Sequence, residues 1–259
     1  MNKIVCTLLV LLIFSSCTKV PKETEIGMTT GSEKAALLFT EALVAMEDVY
    51  VGKFIDLTNQ ALAEDPDFFR ANYLLSVFNL YMGNNEKFKE YGQKAADCPA
   101  KLSEGEAILK EAITKLLQDP KPDLTDLGHK LVERFPDDFV AYENLLWFQV
   151  FKGNNDSIVS TLEKMAEKFP HRASVVNQLG YVHLNSGNFE KSRESFDKYI
   201  EMVPHLPNPY DSKGDYYMVT GEFQAAYESF QKANQIDSTF SAGKMLKAKA
   251  KIDSLALIK

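Results

Sequence analysis

The stretch Ala173–Leu206, ASVVNQLGYVHLNSGNFEKSRESFDKYIEMVPHL, decides the fold of this 259-residue chain. Counting Ala173 as position one, Leu179 and Gly180 stand at seven and eight, Gly187 at fifteen and Phe189 at seventeen. Ser192, Phe196, Tyr199 and Pro204 follow at twenty, twenty-four, twenty-seven and thirty-two. Small residues at eight and twenty let two helices approach closely. Glycine at fifteen turns the chain, and proline at thirty-two stops the second helix. The pattern recurs: Gly153, Gly187 and Gly221 lie 34 residues apart, and so do Pro136, Pro170 and Pro204. Two registers sharing one period mark a chain of stacked helical hairpins.

The flanking units keep the register. Pro207–Phe240 carries Gly214, Tyr217, Gly221, Phe223, Ala226, Phe230 and Ala233, with Ser238 in place of the proline. Phe139–Arg172 keeps Tyr142, Leu145, Gly153, Leu162 and Pro170. It has Leu146 and Ile158 where small residues belong, so its helices should sit further apart. These residues resemble the tetratricopeptide repeat (TPR) family, which has the same residue types at the same places. The resemblance implies an all-α, right-handed α-solenoid of about six helix-turn-helix, TPR-like hairpins plus a C-terminal capping helix. Residues 139–240 hold three well-matched repeats, and residues 34–138 hold degenerate ones. There Leu75, Gly83 and Ala95 recur, whereas Pro120 and Pro122 interrupt the unit Lys101–Asp138 and predict a longer, irregular turn. In residues 241–259, Met245, Ala248, Ile252 and Leu255 form an apolar stripe. Lys244, Lys247 and Lys251 supply the polar side that a terminal cap needs.

The first segment reads as a targeting signal. Lys3 precedes an apolar run, Ile4–Phe14, that is too short to span a bilayer as a helix. It ends in Phe14-Ser15-Ser16-Cys17, which resembles a bacterial lipobox. That resemblance implies a lipoprotein signal peptide over residues 1–16, lipidation of Cys17 and membrane attachment. An ordinary secretory signal with an incidental cysteine is the alternative. The expected location is the outer membrane, facing the periplasm. Residues 17–33 are polar and aperiodic and predict a flexible tether, about 50 Å long when fully extended. Cys98 is then the one remaining cysteine, expected to be a small buried apolar residue.

The sequence holds no enzymatic signature. His129, His171, His183 and His205 lack metal-ligand spacing, and no nucleophile elbow, phosphate loop or dinucleotide fingerprint is present. Neither a catalytic residue, a metal, a cofactor nor a small-molecule substrate is implied. The acidic pI of 5.3 argues against a general nucleic-acid binder. Function is expected on the concave face, which the TPR resemblance lines with helix positions two, five, nine, twelve and thirteen. Here that face carries Glu143, Trp147 and Phe151 in one unit, Asn177 and Tyr181 in the next, and Asp211 and Asp215 in the third. Trp147 stands as either a groove anchor or a core residue. The family's carboxylate-gripping basic residues are absent, so an acidic, aromatic groove should prefer basic or hydrogen-bonding segments of an envelope protein or peptide. Two further classes stay open: an accessory subunit of an envelope-assembly or nutrient-capture complex acting through its convex face, and an unrecognised hydrolase.

Overall fold

The computed structural model describes residues 23–119, 121–153 and 155–256. Its described residues form thirteen helices and no strand: α1 (Glu33–Glu47), α2 (Val51–Glu64), α3 (Phe69–Tyr81), α4 (Asn85–Asp97), α5 (Glu104–Gln118), α6 (Thr125–Arg134), α7 (Phe139–Lys152), α8 (Asn155–Lys168), α9 (Ala173–Asn185), α10 (Phe189–Met202), α11 (Asn208–Thr220), α12 (Phe223–Ile236) and α13 (Ala242–Ala256). Successive helices pack as antiparallel hairpins, α1 on α2, α3 on α4, α9 on α10 and α11 on α12. The chain is an all-α helical-repeat solenoid.

The hairpins close for the reasons the periodic residues suggest. Gly83, Gly153, Gly187 and Gly221 all have φ between 74° and 84°, a left-handed turn that side chains resist. A Cβ on Gly180 would fall 2.5 Å from Phe196 Cε1, so the fully buried Phe196 ring lies directly on the α9 backbone. Ser192, at position twenty, donates its hydroxyl to the Gly180 carbonyl at 2.9 Å. Helices α7 and α8, with Leu146 and Ile158 at those positions, run less closely together.

The middle of the chain departs from the repeat. Helix α6 packs closely on α7 and only weakly on α5, so the unit Lys101–Asp138 is not a closed hairpin. Gly128 admits the close approach of α7: a Cβ there would lie 2.9 Å from Leu145 Cα. The irregular turn expected here falls between Gln118 and Thr125, and Pro120 lies outside the described residues.

Two expectations are corrected by packing. The described part of the tether, residues 23–32, is a bound strap. Ile26 is buried in the main core, its N–H donates to Asp138 Oδ2 at 2.7 Å, and its carbonyl and that of Gly27 accept from Arg70 Nη1. Gly105 makes the room, since a Cβ there would sit 2.7 Å from Ile26 Cγ1. At the other end Lys244 is only half-exposed. It pairs with Asp211 and Asp215, both at 2.6 Å, while Ala248 buries against α12. Cys98 is buried as expected, and Cys17 and the signal segment lie outside the described residues.

The solenoid also touches itself end to end. Tyr50, in the α1–α2 turn, meets Phe240 edge-on at 5.8 Å, and Glu47 pairs with Arg172 at 3.6 Å. Val49 and Ser241, each beside one of the two rings, hold φ of 65° and 64°. For a β-branched valine that is a strained conformation, held here by the surrounding contacts.

Candidate partner-binding pocket

The first helices of four hairpins, α1, α3, α7 and α9, converge on one cavity of about 380 Å³. Leu43, Met46, Leu74, Val77 and Val150 give it apolar walls, and Tyr73, Tyr81, Phe139 and Trp147 give it aromatic ones. Helix α5 contributes nothing. Because α5 is set aside, α3 and α7 meet directly, with the Tyr73 hydroxyl donating to Asn144 Oδ1 at 2.6 Å. Trp147 is half-buried, stands edge-on to Tyr81 at 5.1 Å and faces the cavity, so it has both roles the sequence left open.

Four charged side chains line the space: Glu47, Arg70, Glu143 and Arg172. Glu47 takes the Arg172 ion pair and accepts from the Ser174 N–H at 3.3 Å, and the Arg172 guanidinium lies 4.2 Å from the Phe139 ring centre. Arg70 is buried against the strap carbonyls. Burial lowers its pKa, against which the nearby Glu106 and Asp138 carboxylates act. Glu143 has no hydrogen-bond or ion-pair partner among the described residues. Burial first, and Glu47 second, push its carboxyl up to about 7, with Arg172 and Arg70 opposing.

This carries a stability prediction. An unfolded glutamate titrates near 4.5, so a folded value near 7 means that folding takes up a proton in between. Stability from this group therefore falls as pH rises from about 4.5 to about 7 and is level above that. Glu143→Gln should stabilise the protein by about 1–2 kcal/mol at pH 8, discounting the full shift for partial solvent access, and by nothing at pH 4.5. Paired melting curves at the two pH values check it, and an equal effect at both would reject the unpaired carboxyl.

The other sequence-predicted groove residues divide. Tyr181 borders an adjoining cavity of about 370 Å³, together with Tyr81, Val150 and Gln178. Phe151 packs on the main core beside Trp147, and the Asn177 amide oxygen is buried without a partner. Asp211 and Asp215 are corrected as open acidic contacts. Both are held by Lys244, and Asp215 also accepts from the Tyr181 hydroxyl at 2.8 Å. Sequence reasoning missed Glu47, Arg70, Tyr73 and Tyr81, which lie where the repeat has faded. It also passed over Arg172, whose place before α9 was visible. Among the described residues no group of His, Cys, Asp and Glu could hold a metal, and no helix is long and apolar enough to cross a membrane.

Residues 173–205 match the sequence model of the tetratricopeptide repeat. No curated protein matches the chain. Among solved structures, the chain is similar to TTC0263, a thermophilic TPR protein of Thermus thermophilus. The two are 18% identical over 86% of this chain and 99% of that one, with a TM-score of 0.47. It is likewise similar to PilW, a type IV pilus biogenesis factor, at 16% identity over 83% and 98% with a TM-score of 0.47. A third is YrrB, a TPR protein with an unusual peptide-binding site, at 16% identity over 74% and 97% with a TM-score of 0.47.

Proposed function

We propose that this tetratricopeptide-repeat protein is a non-enzymatic scaffold that holds a peptide or protein partner of the cell envelope on its concave face. The observation that carries the reading is the cavity between α1, α3, α7 and α9, where aromatic walls surround a carboxyl with no partner. Concave sites with apolar walls and a few convergent polar groups are where proteins take ligands. Photo-crosslinking in cells from positions 147 and 178, both on the cavity wall, should capture one partner protein. Crosslinks obtained only from exposed sites on α8 or α10 would reject the concave face.

Attachment through a lipid on Cys17, at the outer membrane and facing the periplasm, belongs to the same proposal. Its support is the order of charge, apolar run, small residues and cysteine in the sequence. The bound strap sharpens what anchoring would mean. The Glu23 carbonyl accepts from Arg134 Nη1 at 2.9 Å, and the Glu23 carboxylate accepts from the Glu104 N–H. Only residues 18–22 then separate the anchor from the folded body, a reach from Cys17 to Glu23 of at most about 22 Å. The start of α5 and the end of α6 would lie close to the bilayer. Cys17→Ala should abolish incorporation of a labelled fatty acid and release the protein from membranes, and persistent labelling of the variant would reject the anchor.

A further inference from the structure

We propose that the cavity between α1, α3, α7 and α9 is a receptor for a single basic side chain, arginine or lysine, carried on an apolar segment of the partner. This rests on the reading of the concave face as a partner site and names the chemistry that the site reads. Of the four charged groups on its wall, Glu47 and Arg172 satisfy each other, and Arg70 is held by two strap carbonyls near Asp138 and Glu106. Glu143 is left over. An acidic occupant would meet two arginines already engaged and two carboxylates. A neutral occupant would bury Glu143 unpaired, which is costly. A cation supplies the missing partner, and the aromatic wall of Trp147 and Tyr81 suits its methylene stem.

The repeat itself shows what such a carboxylate takes. Glu143 and Asp211 both stand at position five of their units, and Trp147 and Asp215 both at position nine. At the second of these sites the Lys244 ammonium, reaching from α13, sits between Asp211 and Asp215 and 5.7 Å from the Phe230 ring. The residue of α9 that corresponds to Lys244 is Val176. The chain thus fills one copy of the site with its own lysine and leaves the other without one.

Trp147 is the only tryptophan, so its emission reports this cavity alone. The full-length protein in non-ionic detergent is titrated with a pool of N-acetylated pentapeptide amides. These have arginine at the centre and leucine, valine or phenylalanine around it, and the control pool has citrulline instead. The arginine pool should shift Trp147 emission and bind at least tenfold more tightly than the citrulline pool. Glu143→Gln should erase the difference, and Val176→Lys, which supplies an internal cation as Lys244 does, should weaken the arginine pool by a similar factor. Binding of the arginine pool should strengthen several-fold from pH 6 to pH 8 in the wild type and not in Glu143→Gln. The groups facing Glu143 are Glu47, Arg70, Asp138 and Arg172. Equal binding of the two pools, or discrimination that survives Glu143→Gln, overturns the basic-side-chain assignment alone. Silence of Trp147 toward both pools, with no crosslink from position 147 in cells, overturns the concave-face reading along with it.

Discussion

Glu106→Ala should cost on the order of 4 kcal/mol of stability, the largest loss expected from any one substitution in the N-terminal half. Glu106 is fully buried and closes the capping box of α5, accepting from the Ser103 N–H at 3.1 Å while Ser103 Oγ caps the Glu106 N–H. The same carboxylate accepts from the Thr29 N–H at 2.8 Å and from the Thr29 hydroxyl. Hydrogen bonds to a charged group contribute about 1.5–3 kcal/mol each, and a lost N-terminal cap costs about 1 kcal/mol. Alanine would also take away one of the carboxylates that offset the buried charge of Arg70. The strap should detach with it, so amide exchange at residues 26–30 should rise along with the fall in denaturation midpoint. Glu106→Gln, which keeps an acceptor, should lose roughly half as much. A loss under about 1 kcal/mol for the alanine variant would mean that residues 23–32 are not part of the folded body.

Gly214→Ala should destabilise the C-terminal hairpins by about 2–3 kcal/mol, against the usual direction for this exchange inside a helix. Alanine is favoured over glycine by up to about 1 kcal/mol in helices. At Gly214 the new Cβ would fall 2.5 Å from Phe230 Cδ1 and closer still to Cε1. Phe230 is fully buried in a cluster with Ala226 and Ala248, so its ring has nowhere to retreat. Overpacking of a filled site costs about 1–3 kcal/mol and here outweighs propensity. Gly243→Ala is the internal control. It too lies within a helix, but its Cβ would meet nothing within 4 Å, and it should be neutral or slightly stabilising. Chemical denaturation of both variants decides the matter. Equal effects would show that propensity rather than the Phe230 contact governs position 214.

The contrast between these two glycines shows what local pattern reveals. Gly214 stands at position eight of a unit whose other positions are in register, so its packing role was readable, and so were the turns at Gly153, Gly187 and Gly221. Gly105 and Gly128 had no such register. Their roles, admitting Ile26 and Leu145, depend on segments 79 and 17 residues away in the chain. The strap escaped for the same reason. Ser, Thr, Gly and Glu between residues 23 and 33 have the composition of a linker, and composition cannot register that Arg70, Glu106 and Asp138 wait for their backbone groups. Of the groove, Glu143, Trp147 and Tyr181 were legible because helix position sets which face a side chain takes. Asp211 and Asp215 have the same positions, yet their ion pairs with Lys244 close that part of the face.

By itself the sequence determined the helical-hairpin architecture, the turns and the face of each well-matched helix, because these follow from spacing within about 34 residues. Only the tertiary structure decided which charges on that face are already answered. Pairing depends on where distant helices bring their side chains, which no local period encodes. Lys244 answers Asp211 and Asp215 across about 30 residues, Arg172 answers Glu47 across 125, and Glu143 is left facing the cavity.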